Sequence, residues 1–187
     1  MNTLEFFISE SLASNDHQVR VIIDGKDWLG EDHLGIDPPE LFEELAHVSS
    51  GKLLIGRCDC GCVGCADLVV QIRTTGETTE WHDPSGKMVS FETSDYLRKV
   101  DALTNDHSWE PVGRTVERLV SEKFAATSTD QGHTFQWSST RIQDGIISLS
   151  FSNGKEQQLL SFEWDSQTLE SALTNADVFY RENFHSA

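Results

Sequence analysis

The stretch KLLIGRCDCGCVGCADLVVQIRT, residues 52–74, decides how this chain is read. A strand-like run from Lys52 to Arg57 leads into Cys58, Cys60, Cys62 and Cys65, all four cysteines of the chain within eight positions. A second run, Ala66 to Thr74, leads out with Leu68, Val70 and Ile72 facing one way, the period of two that marks a strand. The segment therefore predicts strand, tight loop, strand.

Working outward, the same period continues downstream. Gly76-Glu77 reads as a turn, Thr78 to His82 as a strand, Asp83-Pro84-Ser85-Gly86 as a turn, and Met88 to Phe91 as a strand, so a meander of about four strands is expected. Upstream, Leu4, Phe6 and Ile8 alternate with polar residues, as do Val19, Val21 and Ile23, and Ser14-Asn15-Asp16 between them predicts a hairpin. Four helices are expected. Pro38-Pro39 opens the first, with Leu41, Phe42 and Leu45 on one side. Ser94 is the expected N-cap of a second, through Leu103. Pro111 starts a third, with Val112, Val116, Leu119, Val120 and Phe124 on one stripe. A last helix carries Leu169, Ala172, Leu173, Ala176, Phe179 and Tyr180. Before it, Phe135 and Trp137, then Ile147, Leu149 and Phe151, then Leu160, Phe162 and Trp164 predict three strands, with Asn153-Gly154 as a two-residue hairpin turn. Strands and helices come in runs, so the expected fold is α+β: a largely antiparallel sheet made of an N-terminal hairpin, a central meander and a C-terminal three-stranded unit, packed by about four helices. One domain over residues 1–187 is expected, with the polar connector 128–132 as the candidate boundary of a sub-lobe.

Charge narrows the partners. Fourteen Lys and Arg against 31 Asp and Glu leave −17 at pH 7. That repels nucleic-acid backbones and anionic membranes and favours a basic protein partner or plain solubility. Met1 to Glu10 has no basic start and no long apolar core, and no run approaches a membrane span of about 20 residues, so a cytoplasmic chain is expected. In that compartment the cysteines are thiols or metal thiolates rather than disulfides. The segment Asp24 to Glu44 holds eight carboxylates against one lysine. Asp24, Asp27, Glu31, Asp32 and Asp37, with Trp28 as anchor, are the expected partner-binding face, and the competing reading is a solvated loop whose apolar residues return to the core. The carboxylates lack the spacing of a calcium loop.

The cysteine spacing C-x-C-x-C-x-x-C is compatible with zinc. Cys58, Cys60, Cys62 and Cys65 are the candidate ligands. Four sulfurs from one loop are hard to arrange as a tetrahedron, so three from the loop and one outside ligand, with His82 as the candidate, is the easier construction. The alternatives are thiols acting as small residues in a tight hairpin, and redox or catalytic thiols. Cys62-Val63-Gly64-Cys65 is formally a C-x-x-C motif, but a strand follows where a thioredoxin-type site needs a helix. No phosphate-binding glycine loop, no G-x-S-x-G and no H-E-x-x-H occurs. Arg114 and Arg118, one helical turn apart, read as a solvated face before an anion site.

Leu53-Leu54-Ile55-Gly56, Cys58, Cys60-Gly61, Gly64-Cys65, the strand after them and the Trp81 strand resemble a family of uncharacterised bacterial proteins that carry a C-x-C-G-x-x-G-C loop between two strands. The resemblance spans roughly residues 20–105 and implies a shared fold without an activity. Its pattern has no cysteine where Cys62 stands, which implies that Cys58, Cys60 and Cys65 are the essential set. The functional expectation is a non-enzymatic acidic binding protein with a zinc-stabilised hairpin, such as a bacterial immunity protein or inhibitor of a basic partner. The alternative is a thiol- or metal-dependent enzyme.

Overall fold

A computed structural model describes residues 1–11, 13, 16–47, 50–60 and 64–184. Cys62 lies outside the described residues, as do Ser14 and Asn15 of the expected N-terminal turn. The fold is α+β, with four helices and three mostly antiparallel sheets among the described residues. The chain divides into two compact units, Met1–Trp109 and Glu110–Ala187. The 128–132 connector lies inside the second.

The first unit opens with the expected hairpin, β1 (Leu4–Glu10) and β2 (His17–Ile23), and the short β3 (Lys26–Asp27) completes a sheet of order β1-β2-β3. Then come β4 (His33–Leu34), α1 (Pro38–His47) and the meander β5 (Gly51–Cys58), β6 (Leu68–Thr75), β7 (Thr78–His82) and β8 (Met88–Glu92), in a second sheet of order β4-β5-β6-β7-β8. Helix α2 (Thr93–Thr104) follows. The alternating residues do what their period predicts. Val19, Val21, Leu53, Ile55, Val70, Ile72 and Trp81 are fully or almost fully buried in one core with Leu41, Leu45, Tyr96 and Leu103 from the helices. Trp81 is its centre, edge-on to Phe91 at 5.6 Å and to Tyr96 at 6.0 Å between ring centroids.

Two seams join the sheets. Val19 N–H donates to Ile36 O at 2.8 Å, and Asn2 N–H donates to Ser90 O at 2.7 Å. At the first seam Gly35 is required: a Cβ there would run into the Val19 carbonyl, and its own N–H donates to Gln18 Oε1 at 2.7 Å. The N-cap of α2 is Glu92 rather than Ser94, because the longer carboxylate accepts from both Ser94 N–H and Asp95 N–H. Ser94 therefore sits inside the first turn.

The second unit runs α3 (Val112–Phe124), β9 (Thr134–Ser139), β10 (Ile146–Ser152), β11 (Gln157–Glu163) and α4 (Leu169–Phe184), with sheet order β11-β10-β9. Val116, Val120, Phe124, Ile147, Leu149 and Phe151 form its core with Ala172 and Ala176. Phe124 packs against Phe135, Tyr180 and Phe184 at centroid distances of 6.2, 5.3 and 5.6 Å. The turn at Asn153-Gly154 has four residues, since Ser152 pairs with Gln157. Asn153 Oδ1 accepts from Lys155 N–H and Glu156 N–H, both at 2.9 Å, and this side-chain cap favours the longer loop.

Candidate metal centre

The cysteine loop joins two paired strands, and Leu54↔Val69 and Gly56↔Leu68 are the last rungs before it. Gly64, at φ +77°, takes a left-handed turn that costs a side-chain-bearing residue about 1 kcal/mol or more. Its N–H donates to Asp67 Oδ2 at 3.0 Å, so the return to β6 is tied locally. The result gathers Cys58, Cys60 and Cys65, whose sulfurs all lie within 4.8 Å of one another. A tetrahedral zinc with bonds of about 2.3 Å needs sulfurs about 3.8 Å apart, so these three could hold a metal ion after small side-chain adjustments. Cys58 is half-buried, and Cys60 and Cys65 are exposed. The group is drawn from the described residues, and Cys62 lies outside them.

The surroundings of the Cys58 thiol resist its ionisation. The Cys60 N–H donates to the Cys58 sulfur, which by itself favours the thiolate. The Cys60 thiol, the Asp59 carboxylate 3.4 Å away, desolvation and the Cys65 thiol act oppositely and prevail, pushing the Cys58 thiol up to about 12. A divalent ion supplies the positive charge that this cluster lacks.

His82 is not in this group. It ends β7 opposite Gln71, and its Nε2 lies 3.1 Å from Glu80 Oε2. His33 is not in the group either, but strand pairing sets it opposite one of the cysteines. His33 pairs directly with Cys58 across β4 and β5, and directly opposed residues share a face of the sheet. The same face carries Gly56, where a Cβ would lie 3.5 Å from His33 Cβ. His33 Nδ1 is 3.2 Å from Leu29 O, a contact that orients the ring and leaves Nε2 as the other nitrogen. Sequence reasoning missed His33 because nothing local links positions 33 and 58.

The acidic segment is used in part by the fold itself. Asp24 Oδ1 accepts from Thr3 N–H at 2.8 Å, and its Oδ2 accepts from the Asn2 side chain at 2.6 Å. Asp27 pairs with Arg20 at 2.6 Å and accepts from Leu29 N–H at 3.0 Å. Trp28 is half-buried against the first core, 6.0 Å from the Trp81 ring, with Lys87 Nζ 5.0 Å from its own ring centre. It is thus a packing residue more than an exposed anchor. Asp37 is half-buried just before α1, and its carbonyl accepts from Leu41 N–H. Glu31 and Asp32 are exposed.

In the second unit, the expected solvated face of Arg114 and Arg118 is instead bonded. Arg114 is 5% exposed and reaches Glu117 Oε2 at 3.4 Å, while Arg118 Nε donates to Glu110 Oε1 at 2.9 Å. Glu117 Oε1 also accepts from Arg141 Nε at 2.9 Å and Thr140 N–H at 2.8 Å. No protein-family model, curated protein or solved structure matches this chain. Among the described residues no helix is long and apolar enough to cross a membrane.

Proposed function

We propose that this chain is a non-enzymatic, acidic binding protein whose β5–β6 loop is closed by a zinc ion on Cys58, Cys60 and Cys65. The observation that carries the metal is the clustering of three sulfurs within 4.8 Å in a loop between two paired strands. Soft thiolate ligands select zinc among common divalent ions. His33, opposite Cys58, is the candidate fourth ligand. A zinc in this position staples the hairpin. The partner is a basic protein, recognised through a surface of net charge −17 that includes Glu31 and Asp32. Inhibition of a basic toxin is the narrower form of this reading, and charge alone supports it.

The test is elemental analysis of protein purified without added metal. One zinc per chain is expected. Cys58→Ser, Cys60→Ser and Cys65→Ser should each abolish it, and His33→Ala should weaken retention about tenfold or more. A metal-free unmutated protein removes the zinc. Pull-downs with basic proteins at low and high salt test the partner class separately, and salt-insensitive capture contradicts it. A second reading, a thiol- or metal-dependent enzyme, draws on the exposure of Cys60 and Cys65. It requires an exchangeable ligand on the metal, which binding of an external thiol or imidazole to the cobalt-substituted protein would reveal.

A further inference from the structure

Among the described residues no strand pairs with the outer edge of β1 from Leu4 onward. The ladder with β2 runs from Leu4↔Ile23 to Glu10↔His17. At its ends Asp24 N–H donates to Thr3 O, and Ser11 N–H donates to Asp16 O. In an antiparallel pair, bonded positions alternate with positions whose N–H and C=O turn away. Thr3, Glu5, Phe7, Ser9 and Ser11 therefore bond to β2, while Leu4, Phe6, Ile8 and Glu10 turn their backbone groups outward. The other side of β2 agrees with this phase, for Val19 N–H reaches Ile36 O. Before Leu4 the edge is occupied, by Asn2 against Ser90. Beyond it β1 is the outermost strand of its sheet.

A groove of about 570 Å³ follows this edge. One wall is residues 5–8 of β1; the other includes Lys99, Ala102 and Asp106 from α2 and its exit. Glu5 and Phe7 project to one face of the sheet, Phe6 and Ile8 to the other. All four line the groove, so it runs along the strand edge instead of across a face. A slot between an edge strand and a helix is a geometry in which peptides are captured as an added strand.

We propose that this groove takes an extended basic segment of the partner protein as a new strand beside β1. The inference rests on the acidic-binding reading and says where that partner engages. Charge selects the occupant. The first unit carries 20 Asp and Glu against eight Lys and Arg, and Glu5 and Asp106 stand on the two walls against Lys99. A second copy of the chain would bring −17 against −17. An added strand alternates its side chains, so the fitting segment alternates as well: Val or Ile towards Phe6 and Ile8, Lys or Arg towards Glu5 and the exposed Phe7 ring.

The test uses the full ¹⁵N-labelled chain and the hexapeptide acetyl-KVKIRV-amide. Binding should slow exchange of the Phe6 and Ile8 amide hydrogens about tenfold or more and leave Phe7, already bonded to β2, unchanged. Ile8→Pro removes an outward donor without touching the β1–β2 ladder, a tolerated place for proline, and should weaken binding at least about tenfold. Ala102→Trp fills the groove from the helix side and should do the same, independently of how the proline variant folds. Peptide binding that shifts Glu31 and Asp32 but leaves Phe6 and Ile8 unprotected overturns the groove while the acidic-binding reading stands. Failure of the peptide to bind overturns the groove, and the pull-downs then decide the broader reading alone. Protection of Phe6 and Ile8 in the peptide-free protein also overturns it, because the edge is then covered by this chain or a second copy.

Discussion

Arg141 Nε donates to Glu117 Oε1 at 2.9 Å and ties the turn after β9 to the middle of α3. The same carboxylate receives Thr140 N–H and Ser139 Oγ and faces the buried Arg114. Glu117→Ala should therefore remove the buried carboxylate that Arg114, Ser139, Thr140 and Arg141 share and cost about 3–5 kcal/mol, read as a lower urea midpoint of the second unit. Glu117→Gln keeps an acceptor and should cost less, about 1–3 kcal/mol. An unchanged midpoint for the alanine variant would show that the network does not hold this turn.

Gly35→Ala places a methyl group against the Val19 carbonyl at the seam between the two sheets. Backbone cannot yield there as a long side chain would. The expected cost is about 3 kcal/mol or more, near the upper end for overpacking, with faster exchange of the Val19 amide hydrogen. Gly25→Ala, where a Cβ meets nothing within 4 Å but φ is +72°, should cost only the smaller backbone strain of about 1 kcal/mol.

Asp24 links pH to stability. The Thr3 N–H, then the Asn2 side chain, hold its carboxyl below the usual 3.8. A depressed folded value means that the contribution is fully present above about pH 3.8 and is lost as pH falls through the lower folded value. Asp24→Asn suits the left-handed φ of 52° and removes the charge together with one of the two acceptor oxygens, the one that receives the Asn2 side chain. Its urea midpoint should lie below that of the unmutated protein at pH 6, and the gap should close as the pH falls below 3.8. A gap that widens in acid would contradict the assignment.

Thiol alkylation probes the loop without metal. With its thiol pushed up to about 12, Cys58 should react with iodoacetamide at pH 8 at least about tenfold more slowly than an unperturbed cysteine, and its rate should rise about tenfold per pH unit. Peptide mapping by mass spectrometry reads each site. Rapid alkylation of Cys58 at pH 8 would contradict the crowding of thiols and carboxylate around it. Asp59→Asn should speed the reaction.

Much of the fold was legible because its patterns are local. The alternation of Val19, Val21 and Ile23, the meander around Trp81 and the stripe of Val116, Val120 and Phe124 each announce their element within a few residues. Local end signals were less reliable. Glu92 displaced Ser94 as a cap because its longer carboxylate reaches two amides. Asn153-Gly154 joined a four-residue turn because the Asn153 side chain caps it. Arg114 read as solvated because the groups that hold its partner Glu117 arrive from the turn near Thr140, more than 20 positions later.

The candidate site divides in the same way. By itself the sequence determined that Cys58, Cys60, Cys62 and Cys65 fall in one tight loop between strands, since spacing and strand period are properties of neighbouring residues. Only the tertiary structure decided that His33 lies opposite Cys58, that His82 lies with Glu80, and that Asp24, Asp27 and Trp28 serve the fold from within the acidic segment. It also decided that β1 is the outermost strand of its sheet among the described residues. These relationships depend on which strands pair and in what register. Ladders and core packing among residues tens of positions apart select that register, and no local pattern encodes it.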